Sequence, residues 1–187
     1  MSGFVYLFRL GKVDPALLEI AEHCIREQFR LPIKISPRRI DLTPMFDSVR
    51  NQYHSSKMLQ QVIAEPPEDS LRLFGLTEVD LFIPIFTFLF GEAQLDGPGA
   101  LLSAHRLHNF FYGLPENREQ FRQRMRKEVV HEIGHTFGLR HCFDPLCVMR
   151  PSTYVEEIDL KAEDFCDTCR RRLEDRLESA RRPNTEA

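Results

Sequence analysis

Hydrophobic and polar positions along the chain first predict a strand and then an amphipathic helix. Phe4–Leu10 has the apolar character of a strand, and Asp14-Pro15 then offers a helix N-cap with proline at the first helical position. Apolar residues recur at helical spacing as far as Phe29, which predicts a helix with one buried stripe. Cys24 lies on that stripe, so we expect a buried thiol that packs as a small hydrophobic side chain.

The alternation of strand and helix patterns continues through the first two-thirds of the chain. Further strands are predicted at Leu31–Ile35, Leu71–Phe74, Asp80–Pro84, Phe86–Phe90 and Ala100–Leu107. Gln52–Ala64 predicts a second helix, which the prolines at 66 and 67 prevent from continuing. We expect Gly91–Leu95 to extend the strand before it. Together these elements predict a mixed α/β sheet with helices packed on it.

The longest predicted helix spans Glu116–Phe137. At about 100° per residue, half of its circumference is apolar and is expected to face the core. That half carries Phe121, Met125, Val129, Ile133 and Phe137. A last helix is predicted over Ala162–Ala180, followed by a frayed tail over Arg181–Ala187. We expect one domain over residues 1–187, with an N-terminal subdomain at 1–138 and a C-terminal subdomain at 139–187.

The long helix carries the motif His131-Glu132-Ile133-Gly134-His135. His131 and His135 lie about 40° apart around the helix axis, so their imidazoles could bind one metal ion. Glu132 projects about 100° away from His131, where it could hold a water on that ion. Gly138 can end the helix with a positive φ and return the chain, so that His141 reaches the ion as well. Three histidines leave a fourth position open, which is typical of catalytic zinc.

Four cysteines follow this motif in two pairs. Cys142 and Cys147 are separated by four residues, and Cys166 and Cys169 by two. Both spacings suit a tetrahedral thiolate site, so we predict a structural zinc. Two disulfides and ordinary buried cysteines are the alternatives, and a reducing compartment disfavours the disulfides.

Met149 lies eight residues after His141, in a position that suggests a methionine turn beneath the metal. With the extended histidine motif, this part of the sequence resembles the metzincin metallopeptidases. The cysteines that begin directly after His141 make it similar to the archaemetzincins in particular, over Glu128–Cys169. The segment between Met149 and Cys166 is one residue shorter than the family spacing, and every expected ligand remains in place.

The resemblance implies a twisted mixed sheet with two helices above a zinc cleft, and a small lower part with the methionine turn and a helix. It implies a zinc-dependent peptidase in which Glu132 is the general base. The ligands implied are His131, His135 and His141 for a catalytic zinc and Cys142, Cys147, Cys166 and Cys169 for a structural one. It also implies an edge strand above the zinc that pairs with extended substrate, for which Phe88–Gln94 is the candidate.

Three other features are candidates for a functional role but stay outside the predicted site. His105 and His108 are three residues apart, but their place at the end of a predicted strand favours exposed or capping side chains. Arg170–Arg172 beside a cysteine pair could contact nucleic acid, yet acidic residues on the same helix favour a solvated, salt-bridged face. Tyr154, just past the methionine turn, could support an oxyanion.

Composition and charge exclude several classes of protein. The 187 residues are 42% hydrophobic and 28% charged with a net charge of −3, which gives no overall attraction to nucleic acid or anionic lipid. The longest apolar stretch, Leu81–Phe90, is about half a membrane span, and the N-terminus lacks the features of a signal peptide. We expect a cytoplasmic monomer acting on peptide or protein, with no nucleic-acid or membrane partner. The alternatives are a zinc-stabilised protein that binds peptide or nucleic acid, and a former enzyme that binds peptides without cleaving them.

Overall fold

The computed structural model describes residues 3–181, which form two β-sheets and five α-helices. The strands are β1 (Phe4–Leu10), β2 (Ile33–Ile35), β3 (Phe46–Asp47), β4 (Gln52–His54), β5 (Ser70–Thr77), β6 (Leu81–Ile83), β7 (Phe86–Leu89), β8 (Gly91–Ala93) and β9 (Gly99–Ser103). The helices are α1 (Pro15–Phe29), α2 (Ser55–Ile63), α3 (Arg118–Thr136), α4 (Val155–Leu160) and α5 (Asp167–Arg181). The frayed tail predicted for Arg181–Ala187 lies outside the described residues from residue 182 onward.

The larger sheet has the strand order β2-β1-β5-β9-β8. The first four strands run parallel, and helical crossovers containing α1 and α2 connect β1 to β2 and β2 to β5. β8 pairs antiparallel with β9 at the end of the order, so β8 is an edge strand. The predicted mixed α/β fold class is confirmed.

Side chains alternate along the central strands and divide the core into two layers. Leu7 on β1 and Leu102 on β9 pack with residues of α1 and α3 on one face of the sheet. Leu10 and Leu101, on the same two strands, pack with residues of α2 on the other face. This is the period of two expected for strands covered by helices on both faces.

The segment predicted as the second helix begins as a strand. Gln52–His54 forms β4, and the helix starts only at Ser55. Tyr53 pairs with Leu81 of β6, and its N–H donates to the carbonyl of Asp80 at 2.8 Å. A partner almost thirty residues away therefore decides the conformation here, and no helical pattern within the segment could reveal it.

The prediction that Gly91–Leu95 extends the preceding strand is wrong. β7 pairs with β6 in the smaller sheet, whose order is β3-β4-β6-β7, whereas β8 joins the larger sheet. The chain changes sheets at Phe90, whose side chain is buried and whose carbonyl accepts a hydrogen bond from Ser103 N–H.

Helix α3 positions the motif residues. Its N-cap is Asn117, whose side chain accepts from Gln120 N–H. The helix packs against α1, β8 and β9, so it is buried well beyond the predicted core half. Four residues of that half are at most 1% exposed: Met125, Val129, Ile133 and Phe137.

The C-terminal part contains α4, which the sequence pattern did not reveal, and α5, which begins at Asp167, five residues later than predicted. Lys127 on α3 is buried and donates to the carbonyls of Ile158 and Asp159. Arg124, also buried, donates through two guanidinium nitrogens to the Asp159 carboxylate. These contacts tie α4 to the motif helix. Within residues 3–181, no helix is both long and apolar enough to cross a membrane.

Candidate metal centres and active site

His131 and His135 converge on one point from successive turns of α3. The Nδ1 of His131 donates to the carbonyl of Val148 at 2.8 Å, and the Nδ1 of His135 donates to that of Leu139 at 2.7 Å. These hydrogen bonds leave the Nε2 lone pair of each ring free for a metal. The two Nε2 atoms lie 3.1 Å apart, close to the roughly 3.3 Å expected for two imidazole ligands of one tetrahedral zinc.

Both imidazoles are neutral in this environment. Burial lowers the pKa of His131 well below its usual value and lowers that of His135 to about 4, and the charge of Lys161 acts in the same direction. Two neutral rings that turn lone pairs toward each other at 3.1 Å repel unless a cation lies between them. The donor set therefore fits a zinc ion.

His141 joins this pair because α3 ends in a Schellman motif at Gly138. The Gly138 N–H donates to the His135 carbonyl, the Leu139 N–H donates to the Gly134 carbonyl, and Gly138 has φ +80°. The chain then turns back, and the His141 ring centroid lies 5.4 Å from that of His131 and 5.0 Å from that of His135. One nitrogen from each of the three rings lies within 4.8 Å of the others.

Glu132 lies between the histidines and the edge strand. Its side chain is buried, and burial raises the pKa of Glu132 well above its usual value, with the charge of Glu128 adding to the effect. A Cβ atom added at Gly91 of β8 would lie 2.6 Å from Glu132 Oε1. The Glu132 carboxylate therefore occupies space that any residue with a Cβ at position 91 would fill. This need for glycine at 91 was not evident from the sequence.

Met149 packs directly against the motif helix. Its Sδ would lie 2.7 Å from a Cβ placed at Gly134, and its side chain is fully buried. The Met149 carbonyl accepts a hydrogen bond from Cys142 N–H, and the Arg150 N–H donates to the Cys147 carbonyl. The bent segment thus lies against α3 at the histidines, as the methionine-turn prediction requires.

The four cysteines form a second cluster. One Sγ from each of Cys142, Cys147, Cys166 and Cys169 lies within 4.8 Å of the others, and all four are free thiols. The Sγ atoms of Cys142 and Cys166 are 3.8 Å apart, which matches the roughly 3.8 Å between two thiolates of one tetrahedral zinc. No disulfide is formed, so the structure has the arrangement expected of a thiolate metal site.

The cysteine environment also differs between positions. Burial raises the pKa of Cys147 and of Cys169. Burial acts in the same sense on Cys166, but hydrogen bonds from the Cys169 backbone and from the neighbouring thiols outweigh it and lower its pKa. Cys24, by contrast, is buried away from this cluster, with its pKa raised to about 12 by burial. It is the packed thiol predicted from its place on the α1 stripe.

The two clusters share one backbone segment. Cys147 belongs to the cysteine cluster, and Val148, the next residue, accepts the hydrogen bond that orients His131. At the start of the segment 141–148, His141 directly precedes Cys142. A metal bound by the cysteines would therefore fix the backbone that holds two of the three histidines.

The predicted substrate strand Phe88–Gln94 is divided in the structure. Phe88 and Leu89 belong to β7, in the smaller sheet, and only Gly91–Ala93 form the edge strand β8. The prediction of one continuous strand is therefore wrong in its first half. Its second half does lie at a sheet edge beside Glu132, as the close approach of Gly91 shows.

Known proteins are similar to this chain in both sequence and fold. The pattern of peptidase family M54 matches residues 19–175. An archaemetzincin from Pyrococcus furiosus is 35% identical over 184 residues, which is 95% of each chain. The chain belongs to peptidase family M54, the archaemetzincins. It is accordingly a zinc metallopeptidase, as the resemblance implied.

Solved structures of similar proteins have the same fold. An archaemetzincin from Methanopyrus kandleri matches with a TM-score of 0.82 and 32% identity, over 94% of this chain and 96% of that one. A zinc-dependent peptidase from Methanocorpusculum labreanum matches with a TM-score of 0.77 and 30% identity, over 90% of this chain and 99% of that one. The M54 match includes both clusters, the histidines and the cysteines.

Several other residues lie away from these clusters in structural roles. His105 Nδ1 is 3.2 Å from the Glu78 carbonyl, and the His108 ring stacks on Phe121 with centroids 4.0 Å apart. Both rings are half-buried, and within residues 3–181 neither belongs to a cluster of three or more side chains that could hold a metal ion. Arg170 donates to the backbone carbonyl and the side chain of Gln28, so it links α5 to α1.

Tyr154 lies at the start of α4 and is 63% exposed. Its N–H donates to Glu157 Oε2 at 3.1 Å. Within residues 3–181, its contacts therefore place it in the cap of α4 and give it no link to the histidines.

Proposed function

We propose that the chain hydrolyses peptide bonds at a zinc held by His131, His135 and His141, with Glu132 as general base. The observation that carries this proposal is the convergence of two free Nε2 atoms at 3.1 Å beside a buried carboxylate. When bound, zinc would polarise the scissile carbonyl, lower the pKa of a water and favour the ionised form of the neighbouring carboxylate.

Glu132 has the position of a proton carrier and not of a ligand. Its carboxylate takes a proton from the attacking water and later delivers that proton to the nitrogen of the leaving amine. The enclosure of this carboxyl, which raises its pKa, makes it a stronger base than an exposed glutamate. The carbonyls of Val148 and Leu139 hold the imidazoles of His131 and His135 in one orientation. The direction in which their Nε2 atoms point is therefore fixed.

Strand β8 would hold the substrate in an extended conformation. Ser103 N–H donates to the Phe90 carbonyl and Gln94 N–H to the Gly99 carbonyl, so alternate residues of this stretch bond to β9. By the antiparallel pattern, the N–H and C=O of Gly91 and Ala93 point away from β9, toward the free edge. An extended peptide could add there as a further strand.

A second, structural zinc held by Cys142, Cys147, Cys166 and Cys169 is part of the proposal. It would stabilise the subdomain at 139–187, while the subdomain at 1–138 contributes the sheet and the motif helix. A cytoplasmic location fits four free thiols gathered at one point, because that compartment keeps thiols reduced. We further infer that the chain acts on peptides or proteins as a monomer.

The test is cleavage of a peptide library by the zinc-loaded protein. Glu132→Ala should retain both metals and the fold and lose all turnover, since it removes the base without removing a ligand. Ala93→Pro should impair peptide binding and leave the metal content intact, because it deletes an outward N–H. Unchanged turnover in metal-replete Glu132→Ala would refute the assignment, and peptide binding without any cleavage would favour a non-catalytic binding protein.

A further inference from the structure

Glu92, in the middle of β8, carries a carboxylate without a cationic partner. Its Oε2 atom is buried and accepts no hydrogen bond. Within residues 3–181, no Lys, Arg or His forms an ion pair with it. A buried carboxylate oxygen that lacks a partner raises the free energy of the folded state, so a cation that reached it would be bound favourably.

The register of the sheet fixes the direction in which Glu92 projects. Glu92 lies opposite Leu101, which packs with residues of α2. Gly91 lies opposite Leu102, which packs with residues of α1 and α3, the face on which Glu132 lies. Consecutive residues of a strand project to opposite faces, so the Glu92 side chain leaves the edge on the α2 face.

Glu92 is nonetheless close to the candidate active site, because the residue before it, Gly91, lies against the Glu132 side chain. Burial is the main cause of the raised pKa of Glu132, and the negative charges of Glu128 and Glu92 add to it. A substrate side chain beside Glu92 lies on the opposite face of the edge strand from Glu132, and Glu92 is the carboxylate that it meets. An acidic side chain would be repelled at this position.

An added peptide strand would bring one of its side chains onto Glu92. If Gly91 and Ala93 bond to an antiparallel peptide, the peptide residue facing Glu92 occupies a non-hydrogen-bonded pair, with Cα atoms about 4.5 Å apart. Its side chain projects to the same face of the sheet as that of Glu92. Because only the absence of a Cβ at Gly91 leaves space for the Glu132 carboxylate, this residue of the peptide would lie near the scissile bond.

We propose that Glu92 forms a subsite for a cationic group of the substrate, the side chain of a lysine or arginine. The proposal rests on the proposed peptidase function and adds a substrate class to it. A lysine ammonium or arginine guanidinium would supply the donor that the buried Glu92 Oε2 lacks. A neutral side chain would leave the oxygen without a partner.

The experiment uses zinc-loaded protein and sets of three peptides that differ at one position only. That position carries lysine, norleucine or glutamate, and it is scanned across the cleavage site. Wild type should favour lysine over norleucine at one position by about fivefold in kcat/KM. Glu92→Gln should bring this ratio to about one, and Glu92→Lys should reverse it in favour of glutamate. Glu19→Gln, an exposed position on α1, makes the same change in net charge and should leave the ratio unchanged.

Two further arms separate the possible explanations. N-acetylated and free-amine versions of each peptide distinguish a side-chain cation from the N-terminal ammonium, and a preference that acetylation abolishes would overturn the assignment. Binding of the same peptides to the Glu132→Ala variant, followed by fluorescence anisotropy, tests the subsite even if no peptide is cleaved. If lysine peptides bind more tightly and Glu92→Gln removes that preference, the subsite is supported even in the absence of cleavage. An equal preference for lysine over norleucine in wild type and in Glu92→Gln would refute it.

Discussion

Lys161 and Glu128 form a buried ion pair, with Nζ 2.8 Å from Oε1 and side chains only 0% and 4% exposed. Glu128 lies one turn before Glu132 on α3, and Lys161 follows directly after α4. Lys161 also donates to the carbonyl of Arg150, next to Met149. The pair therefore connects the motif helix to the methionine turn, and its cation is the group whose charge acts on all three histidines.

Breaking this pair on one side should be costly. We expect Lys161→Met to lower the free energy of unfolding by about 3–5 kcal/mol, because it leaves the Glu128 charge buried and unpaired. The double variant Glu128→Met/Lys161→Met should recover most of that loss. Urea unfolding measures both effects.

The half-exposed pair of Arg26 and Glu22 on α1 serves as the control. Arg26→Met should cost less than about 1 kcal/mol, because water screens the glutamate that remains. Equal losses in Arg26→Met and Lys161→Met would contradict the view that burial makes the second pair important.

The two clusters should respond differently to loss of a ligand. His141→Ala should remove one zinc and all activity with a small change in Tm, because two imidazoles retain a metal weakly. Cys169→Ser should lower the free energy of unfolding by several kcal/mol, on the order expected when a structural metal is lost. Metal analysis and calorimetry on the same samples measure both responses.

The loss of a cysteine ligand should affect the histidine site as well, because both clusters depend on the backbone at Cys147 and Val148. Cys169→Ser should also weaken the histidine site, since Cys147 precedes the Val148 carbonyl that orients His131. Cys24→Ala, a buried thiol outside the cluster, should leave two zinc ions in place. Simultaneous loss of both ions and immediate unfolding on chelation at neutral pH would show that the two sites are not separable.

Gly91 should be essential for activity although it carries no side chain. In Gly91→Ala the new Cβ would lie 2.6 Å from Glu132 Oε1, so the carboxylate must move. A displacement of about 1 Å at a catalytic group can reduce kcat by about 100-fold, and we expect a loss of that size with both metals retained. The strain should vanish in the Glu132→Ala background, where Gly91→Ala should leave Tm unchanged. A Gly91→Ala variant with wild-type kcat would show that Glu132 does not need this space.

Local sequence signals predicted the parts of the candidate site that short-range chemistry determines. The four-residue spacing of His131 and His135, and the need for a positive φ at Gly138, follow from helix geometry alone. The same holds for β1, whose predicted and observed bounds coincide, and for the Asp14 cap, whose side chain accepts from Ala16 N–H. In each case the residues that determine the conformation lie within one or two turns of each other.

The features that were missed depend on partners distant in the chain. Gln52–His54 is a strand because it pairs with β6, and β8 leaves β7 because it pairs with β9. The importance of Gly91 comes from Glu132, forty-one residues later, and that of Glu128 from Lys161. No periodicity within a window of the sequence contains such information, since it arises only when the sheet and α3 pack together.

The depressed pKa values of the histidines predict how pH affects the metal and the fold. Protonated imidazole cannot bind zinc, and burial keeps His131 and His135 neutral below the usual value of about 6.5. Zinc at this site should therefore be retained as pH falls below 6 and be lost as pH approaches the His135 pKa of about 4.

The same pKa values predict how pH affects the fold of the metal-free chain. Its unfolded state takes up these protons first, so the free energy of unfolding should be highest above about pH 6.5 and should decline as pH falls toward 4. Metal content after gel filtration at successive pH values, together with Tm of the chelated protein, measures both. Loss of zinc already near pH 6.5 would mean that the histidines titrate like exposed residues, and the buried arrangement of His131 would then be wrong.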